Sequence, residues 1–534
     1  MVPGKPAVRR ALPGLFLGWG FLNLLLVAQY PGVSLAEQPL GQLSPEIVCI
    51  VAGLAVLAGL GIPWHRGWGL PLAGLVLLLR LYALAEALVP WYLNRAFNLL
   101  IDSRHLAAIP RLLRDTLSLP AAIGLLALVV AATVAVGWGI LRSLAAIHRG
   151  LATLAPRPRW MAAGGSLLAA LALAGVPPLA PSLMPGLATQ VRFAWDAGAM
   201  ADRLQVEAAA SRARLAAIPR PLAGLAGRNV LVLVVESYGQ TLFAQEALAG
   251  SFLPWLAAWQ ERLAGQGFFA ACRFFVSPTF GGSSWLAFST LETGIRVGND
   301  AELQTLAAAR PPTLAGVFRA AGHRTLSVMP GTTAPWPEGA FLDYDETLLG
   351  PDLGYHGPAF GWSPMPDQFV LDTIFRHQLQ GRPGPVLVRY LLTSSHAAFN
   401  SQPPPVADWS TLGDGALFHR LPPVLFPVTW PELSGAAPAY LRAIRYDLSV
   451  IAAYLERLVG DRDLVIIAGD HQPNLRVTGA GAPWTVPLQV ISREPALIAP
   501  FLEQGYTPGL VPRADGPHPG LETFLSELIA AFSP

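Results

Sequence analysis

Cysteine and charge are what this chain has least of. Two cysteines stand among 534 residues, Cys49 in an apolar run and Cys272 far downstream, so no disulfide framework organises the fold. An oxidising compartment stays open all the same, because a fold that needs no bridges can sit in one. Charged residues are 13% of the chain, against about 25% in soluble domains, while 53% is hydrophobic; much of the protein belongs in lipid. The formal net charge is only +2, and no basic block carries interleaved aromatics, so nothing points to nucleic acid. The serine-hydrolase elbow G-x-S-x-G is missing as well: in "GGSSW" Trp285 occupies the last glycine's place.

What is abundant is unevenly spread. Five apolar runs, at about 12–30, 47–63, 69–90, 119–141 and 160–180, approach the roughly 20 residues a transmembrane helix needs. The first is long and four more follow it, so it reads as a span and not as a signal peptide. Lys5, Arg9 and Arg10 precede span one, Arg66 follows span two, and Arg142, Arg149, Arg157 and Arg159 follow span four, which puts the N-terminus inside and everything after about 184 outside. Arg95, Arg104, Arg111 and Arg114 break that pattern. Their segment, about 94–117, has helical apolar spacing and is expected to lie in the outer interface. Arg80 and Glu86 fall within span three, where Glu86 is expected near the outer end and Arg80 against another helix or a lipid phosphate. The predicted organisation is a five-span α-helical membrane domain over 1–184, an Ala-rich helical connector over 185–228, and an extracytoplasmic domain over 229–534.

That last domain reads as α/β. "NVLVLVVES" is a buried parallel strand ending in an acid, and similar runs recur at 324–329, 385–392, 463–471 and 487–492. Helical patterns such as "LAAWQERLAGQG" and "YLRAIRYDLSVIAAYLERLVG" lie between them, which argues a mainly parallel central sheet. Ligands of such sheets bind beyond the carboxyl ends of the strands, so the polar residues just after the apolar runs are the ones to weigh. Glu236 follows "LVLVV", Asp470 and His471 follow "LVIIAG", and His396 follows "VLVRYLLTSS". Singly these are helix caps or structural histidines; together, two carboxylates and an imidazole suit one divalent cation such as Zn²⁺ or Mn²⁺.

The stretch "SPTFGGSSWLAFSTLETG" places serines at the mouth of a helix, where free N–H groups favour a phosphate or an alkoxide. A plain N-cap serine is the commoner use of that pattern. Serine becomes a nucleophile only beside a base or a metal, which Glu236, Asp470 and His471 would supply.

The order "VVESYG", "FGGSSW", "TSSHAAF", "AGDHQP" behind a multi-span N-terminus resembles the sulfatase-like membrane enzymes of the alkaline phosphatase superfamily, in particular lipoteichoic acid synthases and phosphoglycerol or phosphoethanolamine transferases. The resemblance covers essentially the whole chain. It implies a sulfatase-like α/β fold and one divalent cation (Mn, Zn or Mg) held by Glu236, Asp470, His471 and the nucleophile Ser283. It also implies a substrate-facing His396 and a head-group Trp336, with Ser284 beside the nucleophile. The family commonly has Thr where Ser283 stands, and with Ser284 adjacent the register can shift by one. Met329 and Pro330 occupy a place where a histidine is expected, so acceptor binding is open. The single cysteine of the outer domain favours the phosphoglycerol-like branch, and neither "CRFFV" nor "SPTFGG" fits the C-x-P-S-R or S-x-P-S-R of true sulfatases. The implied activity is metal-dependent transfer of a phospho-head group from a membrane phospholipid, through a phosphoserine, to a glycan or other hydroxyl acceptor at the outer face of a bacterial inner membrane. A phosphodiesterase using the same residues, and a non-catalytic binding protein with a structural metal site, are the alternatives.

Overall fold

The computed structural model describes the chain apart from residues 1–4, 29–39, 94, 104–105, 107–108, 111–112, 114–116, 155–163, 166–178, 429–434 and 480. The chain divides into two units, one of residues 1–91 with 96–196 and one of residues 92–95 with 197–534.

The first unit is helical. α1 (Lys5–Val27), α2 (Pro45–Gly59), α3 (Arg66–Leu93) and α4 (Leu119–Leu154) are drawn from the apolar runs. α2 starts where Ser44 accepts the Ile47 amide and Pro45 supplies a first residue with no amide to satisfy. Leu22, Leu54, Val76, Ile140 and Leu144 form a shared buried seam, while Leu126, Leu128 and Val134 of α4 stay exposed. Apolar side chains on both the inner and outer sides suit helices whose solvent is lipid.

Among the described residues three helices are long and apolar enough to cross a membrane, at Arg9–Val27, Arg66–Pro90 and Leu119–Leu154. The sequence pattern predicts five. The run at 47–63 yields a helix of only 15 residues, ended at Gly59, and the run at 160–180 lies almost wholly outside the described residues. Arg104, Arg111 and Arg114 of the expected interfacial segment also lie outside them; what is described is a one-turn helix, Leu99–Asp102, capped by Asn98. Arg80 donates to the carbonyl of Ala28, and Glu86 accepts the Tyr82 hydroxyl. The charged stretch expected to be helical is so over Met184–Ala216, here α5.

The second unit is built on an eight-stranded sheet. Its strands are β1 (Val230–Val235), β2 (Phe269–Val276), β3 (Arg324–Met329), β4 (Glu346–Leu349), β5 (Val386–Leu392), β6 (Leu464–Gly469), β7 (Thr485–Ser492) and β8 (Thr507–Pro508). Their order is β8-β2-β7-β6-β1-β5-β3-β4. The five strands from β6 to β4 run parallel, while β7, β2 and β8 add an antiparallel edge. All six residues of β1 are buried, as a central strand covered on both faces requires. Leu231, Leu233 and Val235 face α6 (Glu246–Gly265) and α8 (Ala436–Leu458), through Phe252, Trp259 and Ile451. Val230, Val232 and Val234 face α7 (Ser284–Thr293) and α9 (Phe524–Phe532), through Ala287, Leu291 and Phe524. Each such side chain contributes roughly 1.5–3 kcal/mol of burial, so the sheet is a stiff platform for whatever leaves its edge.

The predicted strands at 324–329, 385–392, 463–471 and 487–492 agree with β3, β5, β6 and β7 to within two residues at each end. β2 is an addition. It pairs antiparallel with β7, and an antiparallel edge strand leaves no strand–helix–strand signature in the sequence. The register matters most for function. Val235 lies opposite both Leu392 and Gly469, so β1, β5 and β6 end level, and the residues that follow them emerge at one rim.

Candidate functional site

Three segments leave that rim and are stitched together by short-range bonds. After β1 comes Glu236, then Ser237 at φ 60°. After β6 come Asp470 and His471. Gly469 precedes them because a side chain there would put Cβ 1.9 Å from the Tyr238 carbonyl oxygen; only glycine lets the two loops close. The third is the "SPTFGGSS" loop, held onto the second by the Ser277 hydroxyl donating to the Asp470 carbonyl (2.6 Å) and the Gly281 amide donating to the Gln472 carbonyl (3.0 Å).

The ligand atoms of Glu236, Asp470 and His471 all lie within 4.8 Å of one another, and all three side chains are buried. His471 Nε2 is 3.4 Å from Glu236 Oε1 and 3.5 Å from Asp470 Oδ2. Its Nδ1 faces the Gln472 carbonyl at 2.8 Å, and since a carbonyl only accepts, Nδ1 carries the proton and Nε2 presents a lone pair to the cluster. Asp470 Oδ1 accepts the amides of Ser237 (2.7 Å) and His471 (2.6 Å), which turns Oδ2 toward the cluster.

The electrostatics describe a site with too much negative charge for its depth. Burial, then the neighbouring Glu236 charge, push the Asp470 carboxyl up to about 7. Burial works to raise Glu236 as well, but the charges of His471 and His396 and the Ser237 hydroxyl outweigh it and hold Glu236 low. Burial opposes the charged form of His471, yet Asp470 and Glu236 together raise its pKa. Two converging carboxylates and one correctly oriented imidazole nitrogen therefore fit a divalent cation by donor type, by spacing and by charge.

Both serines of the motif sit at the start of α7, but they do different things. Ser283 is the N-cap at φ 61°, ψ 44°, in the left-handed region, with no side-chain capping bond. Ser284 turns its Oγ onto the cluster, 3.1 Å from Glu236 Oε2 and 3.3 Å from His471 Nε2. The hydroxyl that meets the cluster is thus one position on from the serine the resemblance singles out. The physical reason lies in the backbone. A left-handed residue at 283 redirects the chain as it enters the helix, so the next side chain points inward. Non-glycine residues in that region cost about 1–3 kcal/mol and gather where function sets the geometry. Ser237, directly after Glu236, and Phe399, three residues after His396, are also left-handed.

His396 follows β5 on a loop whose first three residues are tied down. Asp367 accepts the amides of Thr393 (3.0 Å) and Ser394 (2.9 Å), while the Ser395 hydroxyl donates to the Glu236 carbonyl (2.7 Å). Trp336 stands apart from the ligand cluster. It meets Phe288 of α7 edge-on, with ring centroids 5.5 Å apart, and lines a cavity of about 450 Å³ with Tyr344 and the buried Arg389, which donates to Glu292 and Ser327. Sequence reasoning misses Asp367, Ser395 and Trp362, whose indole stacks on the His396 ring. Asp367 follows a proline at a helix start, and Trp362 lies in a loop; neither pattern separates a site residue from an ordinary cap or turn.

No family model matches this chain, and no curated protein matches it. Among solved structures it is similar to the lipoteichoic acid synthase LtaP of Listeria monocytogenes, with a TM-score of 0.36 and 14% identity over 50% of this chain and 66% of that one. It is similar also to the Streptococcus pyogenes phosphoglycerol transferase GacH in complex with sn-glycerol-1-phosphate, with a TM-score of 0.36 and 12% identity over 63% of this chain and 92% of that one. The soluble domain of lipooligosaccharide phosphoethanolamine transferase A from Neisseria meningitidis gives a TM-score of 0.36 and 14% identity over 58% of this chain and 90% of that one.

Proposed function

We propose that the protein is a metal-dependent transferase that moves a phospho-head group from a membrane phospholipid to a hydroxyl acceptor, with Ser284 as the nucleophile. The observation that carries this reading is the Ser284 hydroxyl at the N-terminus of α7, 3.1 Å from Glu236 and 3.3 Å from His471 in a buried carboxylate–imidazole cluster. Glu236, Asp470 and His471 would hold the cation. When bound, the cation supplies the Lewis acidity that makes a serine hydroxyl nucleophilic near neutral pH and stabilises charge on phosphoryl oxygens. Ser284 gives its proton to Glu236 Oε2, the acceptor it already faces, and its Oγ attacks phosphorus; the bond from phosphorus to the diacylglycerol oxygen breaks, and that oxygen takes the Nε2 proton of an imidazolium His396. The first amides of α7 point at the phosphoryl group and favour its negative charge. His396 has its Nδ1 proton committed to the Ala397 carbonyl (2.6 Å), which leaves Nε2 free; in the imidazolium form its Nε2–H donates to the non-bridging oxygens or gives the leaving group its proton. An acceptor hydroxyl, on a glycan in the simplest case, then displaces Ser284 and regenerates it. The domain is assigned to the outer face of the membrane, where such lipid head groups and acceptors meet.

The test uses the full-length protein with labelled phosphatidylglycerol and phosphatidylethanolamine. Release of diacylglycerol that EDTA abolishes and Mn²⁺, Zn²⁺ or Mg²⁺ restores is expected, with a phospho-head-group adduct on the "FGGSSW" peptide by mass spectrometry. Release without an acceptor product assigns hydrolysis instead; no release from either lipid with any of the three metals removes the enzymatic reading.

A further inference from the structure

The turn at residues 360–363 is built to present one side chain. Its ends bond each other, Phe360 amide to Ser363 carbonyl at 2.9 Å and Ser363 amide to Phe360 carbonyl at 3.1 Å. Both ends are anchored: Phe360 is buried against Phe418, and the buried Ser363 bonds the Met365 carbonyl (2.8 Å) and the Thr393 hydroxyl (2.9 Å). Between them Trp362 is 57% exposed, the only exposed tryptophan among the described residues of the second unit. An indole left in water this way gives up burial that folding would otherwise gain. Its partner explains the arrangement. The indole lies flat on His396, with ring centroids 3.9 Å apart and planes 11° from parallel.

An imidazole on a loop has two rotations to lose before its free nitrogen has a direction. The bond from Nδ1 to the Ala397 carbonyl decides which edge of the ring faces back toward the chain. The flat indole decides the plane. The same segment also clamps the loop itself, through Ser363 to Thr393 and through Asp367 to the amides of Thr393 and Ser394. We infer that Trp362 is the positioning residue for His396, holding the imidazole so that Nε2 faces the phosphoryl group during transfer. This rests on the role given to His396 in the proposed reaction. Trp362 adds nothing to the core, so its truncation leaves the Phe360 and Ser363 anchors, the fold and the cation ligands in place.

Two measurements on the full-length, metal-loaded protein test it. The first needs no turnover. With ¹³Cε1-labelled histidine, the His396 resonance, assigned by its loss in His396→Ala, is expected upfield because the stacked indole shields it. Trp362→Leu should abolish that shift, and Trp362→Phe should keep part of it. The second is kinetic. Trp362→Ala and Trp362→Leu should lower kcat about tenfold with KM within about twofold, as expected when a reacting group loses its orientation and not its presence; Trp362→Phe should recover most of the rate. Trp362→Ala in a His396→Ala background should cost nothing further. Additive losses, or a change confined to KM, overturn the proposal and place the indole on the substrate instead. A His396 resonance that Trp362→Leu does not move also overturns it. Wild-type protein that turns over no lipid or short-chain phosphodiester sinks the transfer reading and the positioning role with it, whereas a lost ring shift with full activity sinks the positioning role alone.

Discussion

Two clusters of buried acid meet the loop that carries His396, and they are wired in opposite ways. At one end, Glu236 and Asp470 converge with His471 and the Ser284 hydroxyl; the Ser237 hydroxyl donates to Glu236 Oε1, and backbone amides take the outer oxygen of Asp470. At the other, Asp367 and Asp447 are both fully buried, with no lysine, arginine or histidine bonded to either carboxylate among the described residues. Asp367 spends its oxygens on the Thr393 and Ser394 amides, and Asp447 faces Asp367 and Ser395. Burial pushes both carboxyls up, and with the neighbouring Asp367 charge it pushes Asp447 well above its ordinary range. The lesson is that buried carboxylates alone do not make a candidate metal centre. The first cluster adds an imidazole lone pair and a hydroxyl at a helix start, and it converges. The second adds neither, and its geometry serves the loop.

The sharpest break of this comparison is at the hydroxyl. Ser284→Ala should leave the fold and cation binding intact and lower kcat by at least about 10³-fold, while Ser283→Ala, which removes no bond to the cluster, should stay within about fivefold of wild type. Single-turnover release of diacylglycerol reads both. The opposite ranking would return the nucleophile to position 283.

Next in size is Asp367→Asn. An amide nitrogen would then face one of two backbone donors, leaving a buried donor unsatisfied at a cost of about 1–3 kcal/mol. Thermal unfolding should register that loss, and kcat should fall with it because the loop carries His396. An unchanged midpoint would mean that Asp367 does not hold the loop.

The smallest effect belongs to Asp447→Asn, and it depends on pH. The folded chain holds the Asp447 proton more tightly than the unfolded chain does, so stability is fullest at low pH. It declines as pH rises past the ordinary value of 3.8 toward the raised folded value. The asparagine variant cannot ionise. It should match wild type within about 1 kcal/mol in acid and overtake it as pH rises, with Asp367, Tyr446 and Ser395 still surrounding the site. Parallel stability–pH curves for the two proteins would show that Asp447 is not buried as a neutral acid.

Much of the second unit is legible in the amino-acid sequence. Its α/β character follows from short β-branched runs alternating with helical patterns, and β3 begins and ends at the predicted residues, 324 and 329. Glu236, Asp470, His471 and His396 stand out as polar residues directly after such runs, because a parallel sheet exposes its strand ends. The membrane unit is less legible. Length and hydropathy predict spans, but the run at 47–63 becomes a helix of 15 residues, and hydropathy alone does not say where a helix stops.

Local order in the sequence therefore determined five of the eight strands, the alternation of strand and helix, and the set of residue types at the rim, since these follow from periodicity and from side-chain polarity within a few residues. Tertiary structure alone decided which serine meets the cluster, because a left-handed backbone at Ser283 redirects its neighbour. It also decided that β1, β5 and β6 end level, and that Trp362 and Asp367 come to lie against the loop after β5. Those facts depend on register and on contacts between residues dozens to hundreds of positions apart, and no local pattern encodes a distance of that kind.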